Sequence, residues 1–171
     1  PKNWDEKFKG PITLRRSFEL SRNVAAIRMI HEQVGMKNVV DVANRFNVDK
    51  DMPVQLAGIL GASETTVLRL TAAYAMIANG GKLVNPSFFD HVQDRHGKTV
   101  LVNSYNLCQG CESQNPNELP VLRDLRPQVT DPVSAYQMTS ILRGAVERGL
   151  GKTMHSIPQQ VVAKSGSTND H

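Results

Sequence analysis

Two short polar segments, one near each end of the chain, carry side chains suited to binding an anionic group. Residues 164–168 read Lys-Ser-Gly-Ser-Thr and follow the β-prone run 161–163, so an ammonium and several hydroxyls lie along one extended segment. Residues 21–23 read Ser-Arg-Asn and add a hydroxyl and a side-chain amide. The ammonium and hydroxyls of residues 164–168 therefore favour binding of an anion through charge-assisted hydrogen bonds.

Helices and one hairpin are predicted to position these segments. Apolar residues at helical spacing from Leu14 to Val34 predict one or two helices that end at Gly35, with a break near Ser21 because Ser and Asn favour caps and turns. The other predicted elements are helices over 39–46, 63–78 and 131–147, a hairpin between 87 and 103, and a final strand that carries Lys164.

The order of these elements predicts an α+β fold in which helices cover an antiparallel sheet. The interval from about 105 to 130 is rich in Asn, Gln and Pro, and a connection of that length inside one domain is typically an insertion or a functional loop. We therefore expect residues 1–171 to form part of one domain, with a sheet that is incomplete within this chain.

Composition excludes several classes of function. Of 171 residues, 40% are hydrophobic and 21% are charged, which is typical of a folded domain. The net charge of +4 is scattered and aromatic residues make up 5%, so neither a basic stripe nor a stacking platform for nucleic acid is present. No apolar run approaches the roughly 20 residues that cross a bilayer, and the amino end lacks a signal-peptide pattern.

The two cysteines, Cys108 and Cys111, form a single Cys-x-x-Cys pair within the polar interval. A structural zinc site needs about four ligands, and His91 and His96 are the only other candidates nearby. A thioredoxin-like pair would lie at a strand-to-helix junction, which the surrounding Gln, Gly and Asn do not predict. A loop disulfide, favoured if the protein is exported, or two ordinary free thiols fit this context better, and no metal is expected.

Taken together, the motifs resemble the transpeptidase domain of class A, bifunctional penicillin-binding proteins. Such domains combine Ser-x-x-Lys, Ser-x-Asn and Lys-Thr/Ser-Gly, and the second and third are present here in the right order. The likeness extends along nearly the whole chain. Its further elements are the lead-in at 3–10, Thr-Leu-Arg at 13–15, Leu-Gly at 60–61, Ala-Tyr-Ala at 73–75, Ala-Asn-Gly-Gly at 78–81, Ala-Tyr-Gln-Met at 135–138 and Glu-Arg-Gly at 147–149.

Within 1–171, no Ser or Thr is followed three residues later by Lys, so the motif that supplies the nucleophile is expected before Pro1. The family usually has Gly-Lys-Thr-Gly-Thr-Thr where this chain has Ala163 followed by residues 164–168, a change that keeps each hydroxyl. Leu150 replaces the threonine of a Gly-Thr-Gly turn. The resemblance therefore implies a fragment of an enzyme that is inactive by itself.

The resemblance also implies a role for each polar residue. Ser21 would relay a proton to the leaving amine, Asn23 would donate its amide to the bound peptide, and Lys164 would fix the charge around Ser21. The substrate-binding set would provide hydroxyls for a carboxylate, a strand that substrate can approach closely, and the Ser167 N–H for the oxyanion; it comprises Ser165, Gly166, Ser167 and Thr168. Arg22, by contrast, is expected to be a surface charge.

The implied function is a serine-type D,D-transpeptidase that cross-links peptidoglycan stem peptides and is acylated by β-lactams. It needs no cofactor, and its expected location is the periplasmic side of the bacterial inner membrane, with the anchor and a glycosyltransferase domain upstream. Two alternatives remain open, a D,D-carboxypeptidase or β-lactamase-like hydrolase and a degenerate module that binds peptidoglycan peptide or a partner without catalysis. Ser21 and Asn23 taken alone are more typical of helix caps.

Overall fold

The computed structural model describes residues 2–3, 5–103, 117, 119 and 124–166. Helices dominate this part of the chain, and one small antiparallel sheet accompanies them, as the α+β prediction requires. In chain order the elements are α1 (Leu14–Glu19), α2 (Asn23–Met29) with a π-helical extension (Ile30–Val34), α3 (Met36–Arg45), a short 3-10 helix (Leu56–Leu60), α4 (Val67–Ala78), β1 (His91–Gln93), β2 (Thr99–Val102), α5 (Pro132–Glu147) and a second 3-10 helix (Lys152–Ser156).

The predicted helical region between Leu14 and Gly35 is confirmed, including its break near Ser21. Thr13 caps α1 by accepting a hydrogen bond from the Arg16 N–H at 3.2 Å. The π-helical extension of α2 ends at Gly35, whose φ of 80° is a conformation that glycine adopts readily.

Helix α4 begins later than the sequence predicts. The prediction placed its start at Ser63, but residues 63–66 are not helical. Thr66 has extended backbone and its hydroxyl accepts from the Arg69 N–H at 3.2 Å, so this side chain supplies the cap that fixes the first turn. The predicted end is confirmed at Ala78.

Helix α5 confirms its predicted start and end. The Asp131 carboxylate accepts from the Ser134 N–H at 2.9 Å, and Pro132 occupies the first helical position, where its missing N–H costs nothing. The helix continues to Glu147, and its buried side chains face α1 and α4.

The predicted hairpin is confirmed as β1 and β2, with His91 opposite Val102 and Gln93 opposite Thr99. Its turn is closed by the Asp94 carboxylate, which accepts from the backbone N–H groups of His96 and Lys98 at 2.8 and 3.0 Å. The β1–β2 pair is the only sheet among the described residues.

The predicted strand that carries Lys164 is not formed. Residues 160–166 are irregular and belong to no strand ladder in the described part of the chain. The β-prone run 161–163 supplies propensity, but a strand also needs a neighbour that exchanges backbone hydrogen bonds with it. No described segment is aligned with 160–166 in that way, which explains the difference from the prediction.

One small core packs around α3 and α4, where Phe46 and Met76 are buried together with Ala72 and Ala73.

The predicted loop over about 105–130 lies largely outside the described residues. Its last part is ordered beside α4, because the Leu83 N–H donates to the Pro127 carbonyl and the Val129 N–H to the Gly81 carbonyl, both at 2.8 Å.

Candidate active site

The end of α1 places Ser21 at the centre of the site. The Ser21 N–H donates to the Phe18 carbonyl and the Arg22 N–H donates to the Ser17 carbonyl, both at 3.0 Å. This pair of bonds is the Schellman closure of a helix. The residue that donates the first bond is left-handed in this motif and is usually glycine. Ser21 takes that conformation with φ of 52°. A side chain in this region costs about 1–2 kcal/mol, so Ser21 is held against its own preference.

Lys164 meets Ser21 across the length of the chain. Its Nζ donates to the Ser21 Oγ at 2.5 Å and to the Ser165 carbonyl at 2.7 Å. The same ammonium lies 5.7 Å from the centre of the Phe18 ring, close enough for a cation–π interaction. The two segments singled out by sequence are therefore brought together, one on the end of α1 and the other on the irregular segment 160–166.

The Lys164–Ser21 contact has a defined chemical consequence. Because the ammonium occupies a lone pair of the Ser21 oxygen, the hydroxyl proton of Ser21 remains available to a third group. Partial burial lowers the pKa of Lys164 below its ordinary value of 10.5, since the charged form loses solvation. Lys164 therefore releases its proton more readily than a fully solvated lysine does.

Asn23 opens α2 beside Ser21, and its side-chain amide faces the amino-terminal segment. One Nδ2 hydrogen is donated to the Lys2 carbonyl at 3.1 Å. The amide has a second N–H and a carbonyl oxygen for other partners. Donation from Asn23 to a bound peptide stays a prediction. The second N–H of the amide would make that hydrogen bond.

The predicted substrate-binding residues are described only in part. Ser165 and Gly166 are exposed, and a Cβ added to Gly166 would have no atom within 4 Å, so the backbone there is open to approach. Ser167 and Thr168 lie outside the described residues, as do Cys108 and Cys111. Among the described residues no cluster of three or more His, Cys, Asp or Glu side chains is arranged to bind a metal.

Arg22 is not the surface charge that its sequence context predicts. It is only 7% exposed, and its Nη1 donates to the Asp5 Oδ1 at 2.6 Å. This hydrogen bond holds the pKa of Asp5 at about 2, so the carboxylate is ionised at any physiological pH. A central charge in a polar triplet gives no sequence signal of burial, because its partner is 17 residues away.

Glu19 is a second buried charge that the sequence does not single out. It is 3% exposed on α1 and accepts from Arg148 Nη2 at 2.6 Å and from Arg16 Nη1 at 3.2 Å. The Arg148 hydrogen bond is the main cause that lowers the pKa of Glu19. Gly149 permits this crossing, since a Cβ there would lie 2.1 Å from the Glu19 carbonyl oxygen. The ion pair fixes the end of α1 against the end of α5, two residues before Ser21.

This geometry can be compared with known proteins. Residues 1–170 match the family described as the penicillin binding protein transpeptidase domain. The chain belongs to this family. The expectation from the sequence motifs is thereby confirmed at the level of the family.

Curated relatives agree with the family assignment. The chain is 37% identical over 174 residues to penicillin-binding protein 1A of Rickettsia conorii, and 32% identical over 173 residues to penicillin-binding protein 1A of Neisseria lactamica. These alignments cover 99% and 100% of the chain but 22% and 20% of the relatives. The chain thus spans about a fifth of the length of the curated relatives it matches.

Solved structures support the fold. The crystal structure of penicillin-binding protein 1A from Haemophilus influenzae superposes with a TM-score of 0.77 at 26% identity, covering 99% of this chain and 28% of that one. The D,D-transpeptidase domain of a peptidoglycan glycosyltransferase from Eggerthella lenta gives a TM-score of 0.71 at 19% identity, covering 99% and 45%. The α+β fold of the chain is therefore that of a penicillin-binding transpeptidase domain, and it is incomplete within 171 residues.

Proposed function

We propose that residues 1–171 form the substrate-reading part of a peptidoglycan D,D-transpeptidase domain, with the interval from about 105 to 130 as a loop inside it. The observation that carries this proposal is the 2.5 Å contact between Lys164 and Ser21, which joins the two family motifs present in the chain. The Ser-x-x-Lys nucleophile is supplied from outside these residues, so the 171-residue chain by itself is inactive.

The proposed reaction is a serine acyl transfer. The nucleophilic serine attacks the carbonyl between the two D-alanines of a donor stem peptide, an ester forms, and the peptide C–N bond breaks. The terminal D-alanine leaves as an amine after it receives a proton, which Ser21 passes on. The amine of a second stem peptide then attacks the ester and regenerates the serine. A β-lactam would acylate the same serine by opening of its ring.

The residues of this chain bind and orient the donor. Lys164 keeps the Ser21 hydroxyl directed for proton transfer and adds positive charge near the donor carboxylate. Hydroxyls of Ser165, Ser167 and Thr168 would bind that carboxylate, the Asn23 amide would bind the peptide backbone, and the Ser167 N–H would contribute to the oxyanion hole. Gly166 leaves room for the donor to approach. None of these steps requires a metal or an organic cofactor.

The proposed protein acts at the cell envelope. Its partners are stem peptides ending in D-Ala-D-Ala and β-lactam antibiotics, and its place is the periplasmic side of the inner membrane. Every helix in the described part of the chain is too short or too polar to cross a bilayer. An anchor upstream of these residues, as the family resemblance implies, is part of the proposal.

The test uses the complete protein that carries this chain together with a Ser-x-x-Lys segment. Acylation by a fluorescent penicillin is measured for the parent, for Lys164→Met and for Lys98→Met, which removes an exposed lysine from the hairpin turn as a matched control. We expect Lys164→Met to slow acylation by about 10²-fold, in the range of a lost acid–base group, and Lys98→Met to have no effect.

Product analysis separates the proposed transpeptidase from its alternatives. A pentapeptide donor with an added amine acceptor should yield the cross-linked product. Free tetrapeptide alone would indicate a carboxypeptidase, and opened penicillin released at a high rate would indicate a β-lactamase-like hydrolase. Binding of donor peptide without any acylation of the complete protein would overturn the enzymatic proposal in favour of a binding module.

A further inference from the structure

Arg22 and Asp5 form a buried ion pair inside the polar triplet 21–23. Arg22 has a side chain 6% exposed, and that of Asp5 is 15% exposed. Their atoms Nη1 and Oδ1 are 2.6 Å apart. A buried guanidinium needs a fixed acceptor, and a charge-assisted bond of this length has a narrow range of allowed geometries. The backbone between Ser21 and Asn23 is therefore tied through Arg22 to a residue outside the helices.

The segment that carries Asp5 holds the residues on the far side of Arg22 as well. Its Lys2 carbonyl accepts from the Asn23 amide at 3.1 Å, and the Asn3 Oδ1 accepts from the Val24 N–H at 3.4 Å. Asn3 thus caps α2, a task that the N-cap residue Arg22 has no side-chain acceptor to perform. Three consecutive residues after Ser21 are held by one short segment.

That segment is itself closed into a compact turn. The Asn3 Nδ2 donates to the Lys7 carbonyl at 2.8 Å, and the Lys7 N–H donates to the Asp5 carboxylate at 3.1 Å. Asn3 is 6% exposed, so both of its polar groups are committed to this packing. The turn is therefore closed by its own hydrogen bonds, and Asp5 within it pairs with Arg22.

We propose that the Asp5–Arg22 pair positions Ser21 and Asn23 for acyl transfer without touching the substrate. Ser21 occupies a left-handed conformation that its own side chain disfavours, and it is flanked by the strained closure of α1 on one side and by Arg22 on the other. Release of Arg22 lets this junction relax and moves the Ser21 hydroxyl relative to Lys164. The inference rests on the proposed function, because it concerns the same reaction.

The low pKa of Asp5 keeps the Asp5–Arg22 ion pair intact at neutral and mildly acidic pH. With its pKa at about 2, Asp5 stays charged and paired with Arg22 from neutral to mildly acidic pH. Titration of Asp5 therefore makes no contribution to the pH dependence of the parent's acylation rate. In a variant whose Ser21 is misplaced, the pH dependence that comes from the Lys164–Ser21 pair should change. The other charged residues lining the cleft beside Asp5 and Arg22 are Lys9 and Arg16.

The experiment compares acylation of the complete protein by fluorescent penicillin in Arg22→Met, Arg22→Lys and Arg45→Met. Arg45→Met is the matched control, because it removes a guanidinium that donates to Asp41 and to the Val129 carbonyl rather than to Asp5. We expect Arg22→Met to slow acylation by about 30-fold, since small displacements of reacting groups cost up to about 10²-fold. Arg22→Lys should recover part of this loss, and Arg45→Met should match the parent.

A double-mutant cycle distinguishes positioning from general stability. In a Ser21→Ala/Asn23→Ala background the groups to be positioned are absent, so Arg22→Met should slow the residual acylation by less than about 3-fold. An equal loss in both backgrounds would overturn the positioning role. If Arg22→Met does not fold, Asp5→Asn enters the same cycle. A parent that is never acylated overturns the proposed function as well, whereas a parent that reacts normally with additive losses overturns this inference alone.

Discussion

The ends of α1 and α4 share one type of closing hydrogen bond but place different residues in the left-handed position. At α4 the Gly81 N–H donates to the Met76 carbonyl at 2.8 Å, and Gly80 supplies the left-handed residue with φ of 67°. At α1 the corresponding position is Ser21. Glycine takes this conformation without a steric penalty, and serine does not. The local rule is broken at the helix end whose side chain contacts Lys164, which is where strain is expected if the hydroxyl has a chemical role.

The largest expected effect concerns how closely other backbone packs against glycines near the ends of α1 and α4. A Cβ at Gly149 would lie 2.1 Å from the Glu19 carbonyl oxygen and 2.6 Å from that of Ala145, whereas a Cβ at Gly80 would meet nothing within 4 Å. Gly149→Ala should destabilise the complete protein by about 3 kcal/mol, because backbone must move. Gly80→Ala carries only conformational strain and should cost about 1 kcal/mol. Scanning calorimetry of both variants measures the difference, and equal losses would contradict the close α1–α5 crossing.

Exchange of the left-handed residue itself is the next test. Ser21→Gly should raise stability by about 1 kcal/mol through relief of strain, while acylation by fluorescent penicillin falls by about 10²-fold because the hydroxyl is lost. Stability and activity therefore move in opposite directions, as is common for strained functional residues. A Ser21→Gly protein that melts at a lower temperature than the parent would show that Ser21 is there for packing.

Sequence patterns predicted the elements around the site better than its interior. Helix α5 was predictable because Asp131 and Pro132 mark its start by local chemistry, and the hairpin because Asp94 and Gly97 mark its turn. The start of α4 was not, since Thr66 caps it three residues after the Ser63 that the pattern favoured.

The contacts that arrange the site are non-local and leave no periodic signal. Arg22 and Asp5 are separated by a helix, and Glu19 and Arg148 by most of the chain. Burial of these charges is decided by tertiary packing. The triplet 21–23 therefore predicted the polar groups of the site but not the buried ion pairs that support them. The strand expected at Lys164 failed for the same kind of reason, because pairing depends on a neighbour and not on the segment alone.

The buried carboxylate of α1 gives a smaller, pH-dependent effect. Glu19→Gln should destabilise the complete protein by about 2 kcal/mol at neutral pH, through loss of charge-assisted bonds to Arg148 and Arg16. The folded-state pKa of Glu19 is lowered, so its contribution is complete above the ordinary value of 4.5 and is lost as the pH falls through the folded pKa. Melting temperatures of parent and variant should therefore converge on acidification below pH 4.5. A constant difference would argue against an ion pair.

The smallest expected effect comes from a third helix end. Asn47 follows α3 with φ of 52°, and its closing bonds run from the Asn47 N–H to the Asn44 carbonyl at 2.9 Å and from the Val48 N–H to the Ala43 carbonyl at 3.0 Å. Asparagine tolerates this conformation better than serine, but its Oδ1 is buried and has no hydrogen-bond partner among the described residues. Asn47→Gly should therefore stabilise the protein by about 0.5 kcal/mol.

Asn47→Gly is also a control for Ser21→Gly, because Asn47 has the same backbone conformation as Ser21 but does not belong to the candidate site. Acylation by fluorescent penicillin should equal that of the parent, in contrast to Ser21→Gly. Asn47→Ala, which keeps a Cβ but loses the tolerance of asparagine, should be less stable than Asn47→Gly by about 1 kcal/mol. Loss of activity in Asn47→Gly would mean that rigid helix ends are needed throughout the domain, and the contrast between α1 and the other helix ends would then lose its functional interpretation.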